Sequence, residues 1–117
     1  FEQLCQTQLA LIQSLGFTGR RLEMSCAELG ASAHRKRDIE LWFPFSRRFG
    51  EVTSASNCTD FQARRADIRM AGVDNRFVHT MNATAVAVPR IIQCIAEHGC
   101  RIPAVLQPDM QHLAPRC

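Results

Sequence analysis

Phe1, Leu4, Cys5, Leu11, Ile12 and Leu15 recur at three-to-four spacing, which predicts an opening helix with a single apolar stripe. Gly16 follows the last of them and predicts the stop, because glycine readily takes the left-handed conformation that ends helices. Phe17 to Met24 is short and mixed, and reads as a strand entered through a turn at Thr18-Gly19. Polar and basic Ser32 to Lys36 reads as a loop. Ile39, Leu41 and Phe43 then alternate with Asp38, Glu40 and Trp42, the period of a half-buried strand, and Pro44 ends it. A turn through Arg47, Arg48 and Gly50 brings the chain back as a strand from Phe49 to Ser54, so the pair predicts a hairpin.

Beyond the hairpin, Asn57 is placed to cap a helix from Cys58 to about Arg65, with Asp60 in its first turn. Ala66 to Met70 reads as strand, Ala71 to Asn75 as loop, and Phe77 to Asn82 as a further strand. Val88, Ile91, Ile92 and Ile95 mark a closing helix that ends near Gly99, with Arg90 off its apolar stripe. Pro89 removes a hydrogen bond inside a helix, so this helix either starts well after Thr84 or is kinked. Pro103, Pro108 and Pro115 exclude a long element in the tail. Antiparallel strands with helices inserted late give an α+β fold rather than a doubly wound sheet. No Gly-rich phosphate loop is present, which argues against a P-loop or dinucleotide fold.

Composition changes this picture little. A chain of 117 residues makes one modest core, and its 46% hydrophobic and 21% charged residues are ordinary for a globular protein. The net charge of +3 is carried almost wholly by arginine, with Lys36 the single lysine. It fits either an anionic partner or a solvated basic surface. No apolar run is long enough to span a membrane, and no membrane partner is expected. Cys5, Cys26, Cys58, Cys94, Cys100 and Cys117 form no C-x-x-C pair and no zinc-spaced group with histidine. They read as reduced, structural thiols in a compartment that keeps them so. A helical pattern that starts at Phe1 itself leads to the expectation that the chain begins inside a larger protein.

The candidate chemistry lies in two polar runs, Glu51 to Arg65 and His79 to Thr84, the second leading to Arg90. Together they read as a pocket for a metal-bound phosphate and a small polar ligand. Glu51 and Ser54 offer the hard oxygens that magnesium takes, or Glu51 is a strand-end carboxylate paired with an arginine. A flat strand sends positions three apart to opposite faces, so joint coordination requires a twist or bulge near Thr53. Asn82 and Thr84 can bind a small polar ligand or cap a helix, and Arg90 can grip a phosphate, stack on a base or lie solvated. His79 flanks the site without any accompanying nucleophile motif. Of adjacent Arg64 and Arg65, which project apart on a helix, one is expected to serve the site. Arg35-Lys36-Arg37 could touch a nucleic-acid backbone.

Asp38-Ile39-Glu40-Leu41-Trp42-Phe43-Pro44, the run from Gly50 to Arg65, and Phe77 through Arg90 resemble the C-terminal half of the seryl-tRNA synthetase catalytic domain. The similarity runs roughly from residue 20 to residue 108. Asn82-Ala83-Thr84-Ala85-Val86-Ala87-Val88-Pro89-Arg90 is most similar to the animal mitochondrial branch, where alanines and a proline stand for glycines of the third class II motif. The resemblance implies an antiparallel class II sheet flanked by helices, with residues 1–117 a part of that domain running from after the second motif through the third. It implies that Glu51, Val52, Thr53, Ser54 and Arg90 bind ATP, and that Glu51 and Ser54 hold its Mg²⁺. It also implies that Asn82 and Thr84 hold the substrate serine, and that Arg90 is the catalytic arginine. The reaction implied is ATP-dependent activation of L-serine to seryl-adenylate and transfer to tRNA(Ser), by a homodimer in the mitochondrial matrix or, alternatively, the cytoplasm.

The sequence departs from that family by lacking the first and second motifs and the tRNA-binding arm, and by a shortened segment at Glu97 to Pro103. A fragment inactive by itself is therefore expected. The alternatives are a non-catalytic synthetase-like paralogue acting as a binding or regulatory protein, and an unrelated α+β binding module. Retention of Glu51, Ser54, Asn82, Thr84 and Arg90 favours the ligase.

Overall fold

A computed structural model of the protein describes residues 1–72 and 74–107. Val73, in the expected loop, and the tail positions Pro108, Pro115 and Cys117 lie outside the described residues.

The opening stripe folds as helix α1, Glu2–Leu15, and Gly16 ends it at φ 74° with its N–H donating to Gln13 O. Strand β1, Gly19–Glu23, follows the turn, and β2 runs Arg35–Phe43. The expected loop from Ser32 thus gives way two residues early, since Arg35 and Lys36 already pair with Asn57 and Ser56 of the next strand. The hairpin returns as β3, Arg48–Thr59, which is far longer than its alternation indicated. Gly50 is required on the way, because a Cβ there would lie 2.7 Å from the Phe43 ring that covers it.

The helix expected from Cys58 is a correction. β3 continues through Thr59 because its second edge pairs with β4, Thr80–Thr84. Asn57 therefore sits in the strand, and its Oδ1 accepts the Thr59 N–H at 3.0 Å. Thr59, at φ 46°, turns the chain, and helix α2 spans only Phe61–Ala66 behind Asp60. The strand expected at Ala66 to Met70 does not form: α2 takes Ala66, Asp67 turns the chain at φ 51°, and Arg69 makes one isolated bridge to Phe77. The strand expected from Phe77 to Asn82 begins at Thr80, where β3 is there to pair with it. Helix α3, Val88–Glu97, carries Pro89 in its first turn, where the missing N–H would have had no partner, so there is no kink.

The four strands form one antiparallel sheet in the order β1-β2-β3-β4, the α+β arrangement expected. Its core joins Ile39, Leu41 and Phe43 of β2 and Val52 of β3 to Ile12 and Leu15 of α1 and Ile91 and Cys94 of α3. Both long helices therefore cover the same face of the sheet. The alternating partners of the core residues are left for the other face.

Candidate functional site

Strand register assembles the site. Asp38 and Glu40, two apart on β2, share the face away from the core, and they pair with Ser54 and Glu51 of β3. Between them the register slips, so that Ile39 pairs with Thr53 and Glu40 with Glu51, which leaves Val52 as the extra residue of a bulge. The bulge puts Glu51 and Ser54 on one face, the condition their spacing had set. Ser54 also pairs with Thr84 on β4, which adds that threonine to the same row.

α3 closes the row from the other end. Ala87 N–H donates to Val52 O at 2.7 Å, and Arg90 Nη1 donates to the Glu51 carbonyl and lies 3.9 Å from its Oε2. Glu51, Val52, Thr53, Ser54, Thr84 and Arg90, with Ala87 and Pro89, line a cavity of about 280 Å³. A neighbouring hollow of about 270 Å³ shares Glu51 and Arg90 and adds Glu40, Arg48 and Gln93. Asn82 is not in the lining. It pairs with Ser56, and its Nδ2 reaches Cys58 Sγ at 3.7 Å.

The electrostatics centre on Glu51. Lys36 Nζ stands 4.0 Å from its Oε2 and 2.8 Å from Asp38 Oδ2. Burial disfavours the Lys36 charge, but the Asp38 hydrogen bond and the Asp38 and Glu51 charges outweigh it and hold the ammonium above its ordinary pKa. Asp38 Oδ1 and Thr53 Oγ1 are buried without a partner, so this strand pair keeps acceptor capacity unspent. Among the described residues no three His, Cys, Asp or Glu side chains group to hold a metal by themselves. One carboxylate and one hydroxyl on a common face fit magnesium that draws its other ligands from phosphate and water.

Other candidates are placed elsewhere. Arg64 pairs with Asp60 at 2.9 Å and Arg65 stacks 3.4 Å from the centroid of Phe61, so neither arginine of α2 enters the cavity. His79 is exposed ahead of β4. Arg35 and Arg37 bind Glu2 and Glu23, which withdraws them from the open basic loop expected there. Lys36, Glu40 and Arg48 were missed as site residues. Alternation on β2 gave the polar face of Glu40, but only the long-range register shows that this face meets Arg90.

Residues 1–99 match the model of the tRNA synthetase class II core domain (G, H, P, S and T). The chain belongs to this class II synthetase core family. Within the family it is 46% identical over 116 residues to the mitochondrial serine–tRNA ligase of Bos taurus, covering 92% of this chain and 22% of that protein. It is 41% identical over 119 residues to the serine–tRNA ligase of Synechococcus elongatus, covering 94% and 28%. The crystal structure of seryl-tRNA synthetase from Pyrococcus horikoshii complexed with ATP superposes with a TM-score of 0.82 at 41% identity, over 90% of this chain and 26% of that one. The class II core described here thus spans about a quarter of the length of these relatives.

Proposed function

We propose that this chain forms the wall of a serine–tRNA ligase active site that faces ATP and serine, in an enzyme that activates L-serine to seryl-adenylate and transfers it to tRNA(Ser). The observation that carries this is the convergence of Glu51, Ser54, Thr84 and Arg90, drawn from β3, β4 and α3, on one cavity. Likeness to serine–tRNA ligases, including a structure complexed with ATP, supports it.

In this reading Arg90 directs its guanidinium at the triphosphate and offsets charge as the serine carboxylate attacks the α-phosphorus and pyrophosphate departs. The Glu51 carbonyl and carboxylate hold that guanidinium in place. Glu51 and Ser54 would hold Mg²⁺, which supplies charge neutralisation on the phosphates when bound. Thr84 orients serine beside Ser54. Asn82, two residues along the same strand, reaches serine only from outside the cavity lining. The reaction needs no protein nucleophile, because the attacking group is the substrate carboxylate. The mitochondrial relatives support the matrix as the compartment, and the catalytic form is a homodimer of the longer protein.

The test is serine-dependent ATP–pyrophosphate exchange by the longest natural polypeptide that carries this sequence, alongside its Glu51→Ala variant. The wild type is expected to exchange, and the variant to lose about a hundredfold or more while tRNA affinity holds. Equal loss of exchange and tRNA affinity would make Glu51 structural. A folded wild type that binds serine and ATP without exchange would establish the non-catalytic binding protein instead.

A further inference from the structure

Gln8 is the polar side chain of α1 that the sheet swallows. It is only 3% exposed, in a helix whose other buried members are Cys5, Ile12 and Leu15. Its single amide nitrogen donates twice, to Ser54 O and to Thr84 O, each at 2.8 Å. Those two acceptors are a cross-strand pair, and both residues line the cavity. Burying an amide costs free energy unless its hydrogen bonds are made, and here both N–H groups are used on the two strands that frame the site. The resemblance read from sequence begins only near residue 20, so the pattern gives Gln8 no more than a place among helix residues, although the family match begins at residue 1.

We infer that Gln8 is a positioning residue of the active site: from behind the sheet it holds Ser54 and Thr84 at one fixed spacing, and through Thr84 the segment that leads to Arg90. The inference rests on the ligase reading above. Thr84 is the last residue of β4, where a strand frays unless something holds it. Three residues on, Ala87 is tied to Val52 O, so the segment 85–86 is anchored at both ends, by Gln8 before it and β3 after it. Losing Gln8 leaves Thr84 held to Ser54 by the β3–β4 ladder alone, at its end, while the Arg90 contact to Glu51 stays intact. Serine binding should therefore suffer more than ATP binding.

The test compares wild type, Gln8→Met and Gln8→Asn in the longest natural polypeptide. Methionine keeps the volume and removes both donors, whereas asparagine keeps both donors on a side chain one methylene shorter. For Gln8→Met the expected result is a rise of about tenfold or more in KM for serine during pyrophosphate exchange, with KM for ATP within about threefold. Gln8→Asn should recover part of that loss. Backbone amide hydrogen exchange across residues 80–87 should quicken in Gln8→Met, and this readout does not depend on activity. Should Gln8→Met fail to fold, Gln8→Asn alone decides, by the same selective rise in serine KM. Serine and ATP constants that both stay at wild-type values, or that rise together in proportion to lost stability, would overturn the inference. A wild type without any serine-dependent exchange would instead overturn the ligase reading, and the hydrogen-exchange comparison would still decide whether Gln8 holds the two strands together.

Discussion

Arg90 shows how much one side chain depends on backbone it did not choose. Its guanidinium is half exposed, donates to the Glu51 carbonyl and stands 3.9 Å from the carboxylate, so its fork is aimed rather than free. Arg90→Lys keeps the charge but loses the fork and its planar reach, since an ammonium is a point charge on a flexible stem. In the longer polypeptide we expect KM for ATP to rise about tenfold with KM for serine little changed, measured by pyrophosphate exchange. Equal movement of both constants would mean that Arg90 holds α3 rather than phosphate. The identity of Arg90, Glu51 and Ser54 as a set was legible in the sequence through resemblance to synthetases. The requirement for a bulge was legible through strand geometry alone. Lys36 was not, because a basic residue in an apparent loop gives no sign that a buried Asp38 will fix it 4.0 Å from Glu51.

Among the elements, α1, the hairpin and α3 were legible because each has a single periodicity and a clear stop. β3 beyond Ser54 was not, because Asn57 and Cys58 read locally as a cap and the start of a helix, and only pairing with β4 keeps them extended. α3 is fixed to the hairpin by a contact equally silent in sequence. The Glu97 carboxylate accepts the Ser46 hydroxyl at 2.7 Å and the Phe45 and Ser46 N–H groups at 3.0 Å each. The Ser46 hydroxyl first, and then the Ser46, Gln93 and Phe45 donors, lower its pKa from 4.5 to about 2. A carboxylate depressed on folding contributes stability that is present above its unfolded pKa and lost as pH falls through the folded one. Glu23, lowered to about 2 by its hydrogen bonds to Arg35 and Arg37, acts in the same direction. Stability should therefore fall between about pH 4.5 and pH 2. Glu97→Ala should lower Tm at pH 7 and make that acid decline shallower, as followed by thermal melts across the window. An unchanged acid slope would show that the carboxylate does not grip the hairpin turn in solution.

At the scale of the whole molecule the site stands open among the described residues. Glu51 and Arg90 retain 39% and 51% side-chain exposure, so a bound triphosphate would still meet bulk water here. Two unit charges at 4 Å interact by about 1 kcal/mol in water but about 4 kcal/mol at the effective dielectric of a partly closed protein site. Transition-state stabilisation by a fixed cation depends on that difference. A second surface also stands open among the described residues. Leu11, Val88 and Ile92, which are 37%, 59% and 62% exposed, line an entirely apolar groove between α1 and α3. A chain covering 22% to 28% of its relatives' length presents both surfaces together. We therefore expect the 117 residues purified alone to give no measurable pyrophosphate exchange, and to melt at lower temperature than the longer polypeptide under the same conditions. Calorimetry beside the exchange assay checks both. Exchange by the isolated chain within about tenfold of the longer polypeptide would show that one wall suffices, because a tenfold rate difference is only about 1.4 kcal/mol and closing the site should contribute more. A normal melt without exchange would separate the two effects, since the fold would then stand by itself and the chemistry alone would await the opposite wall.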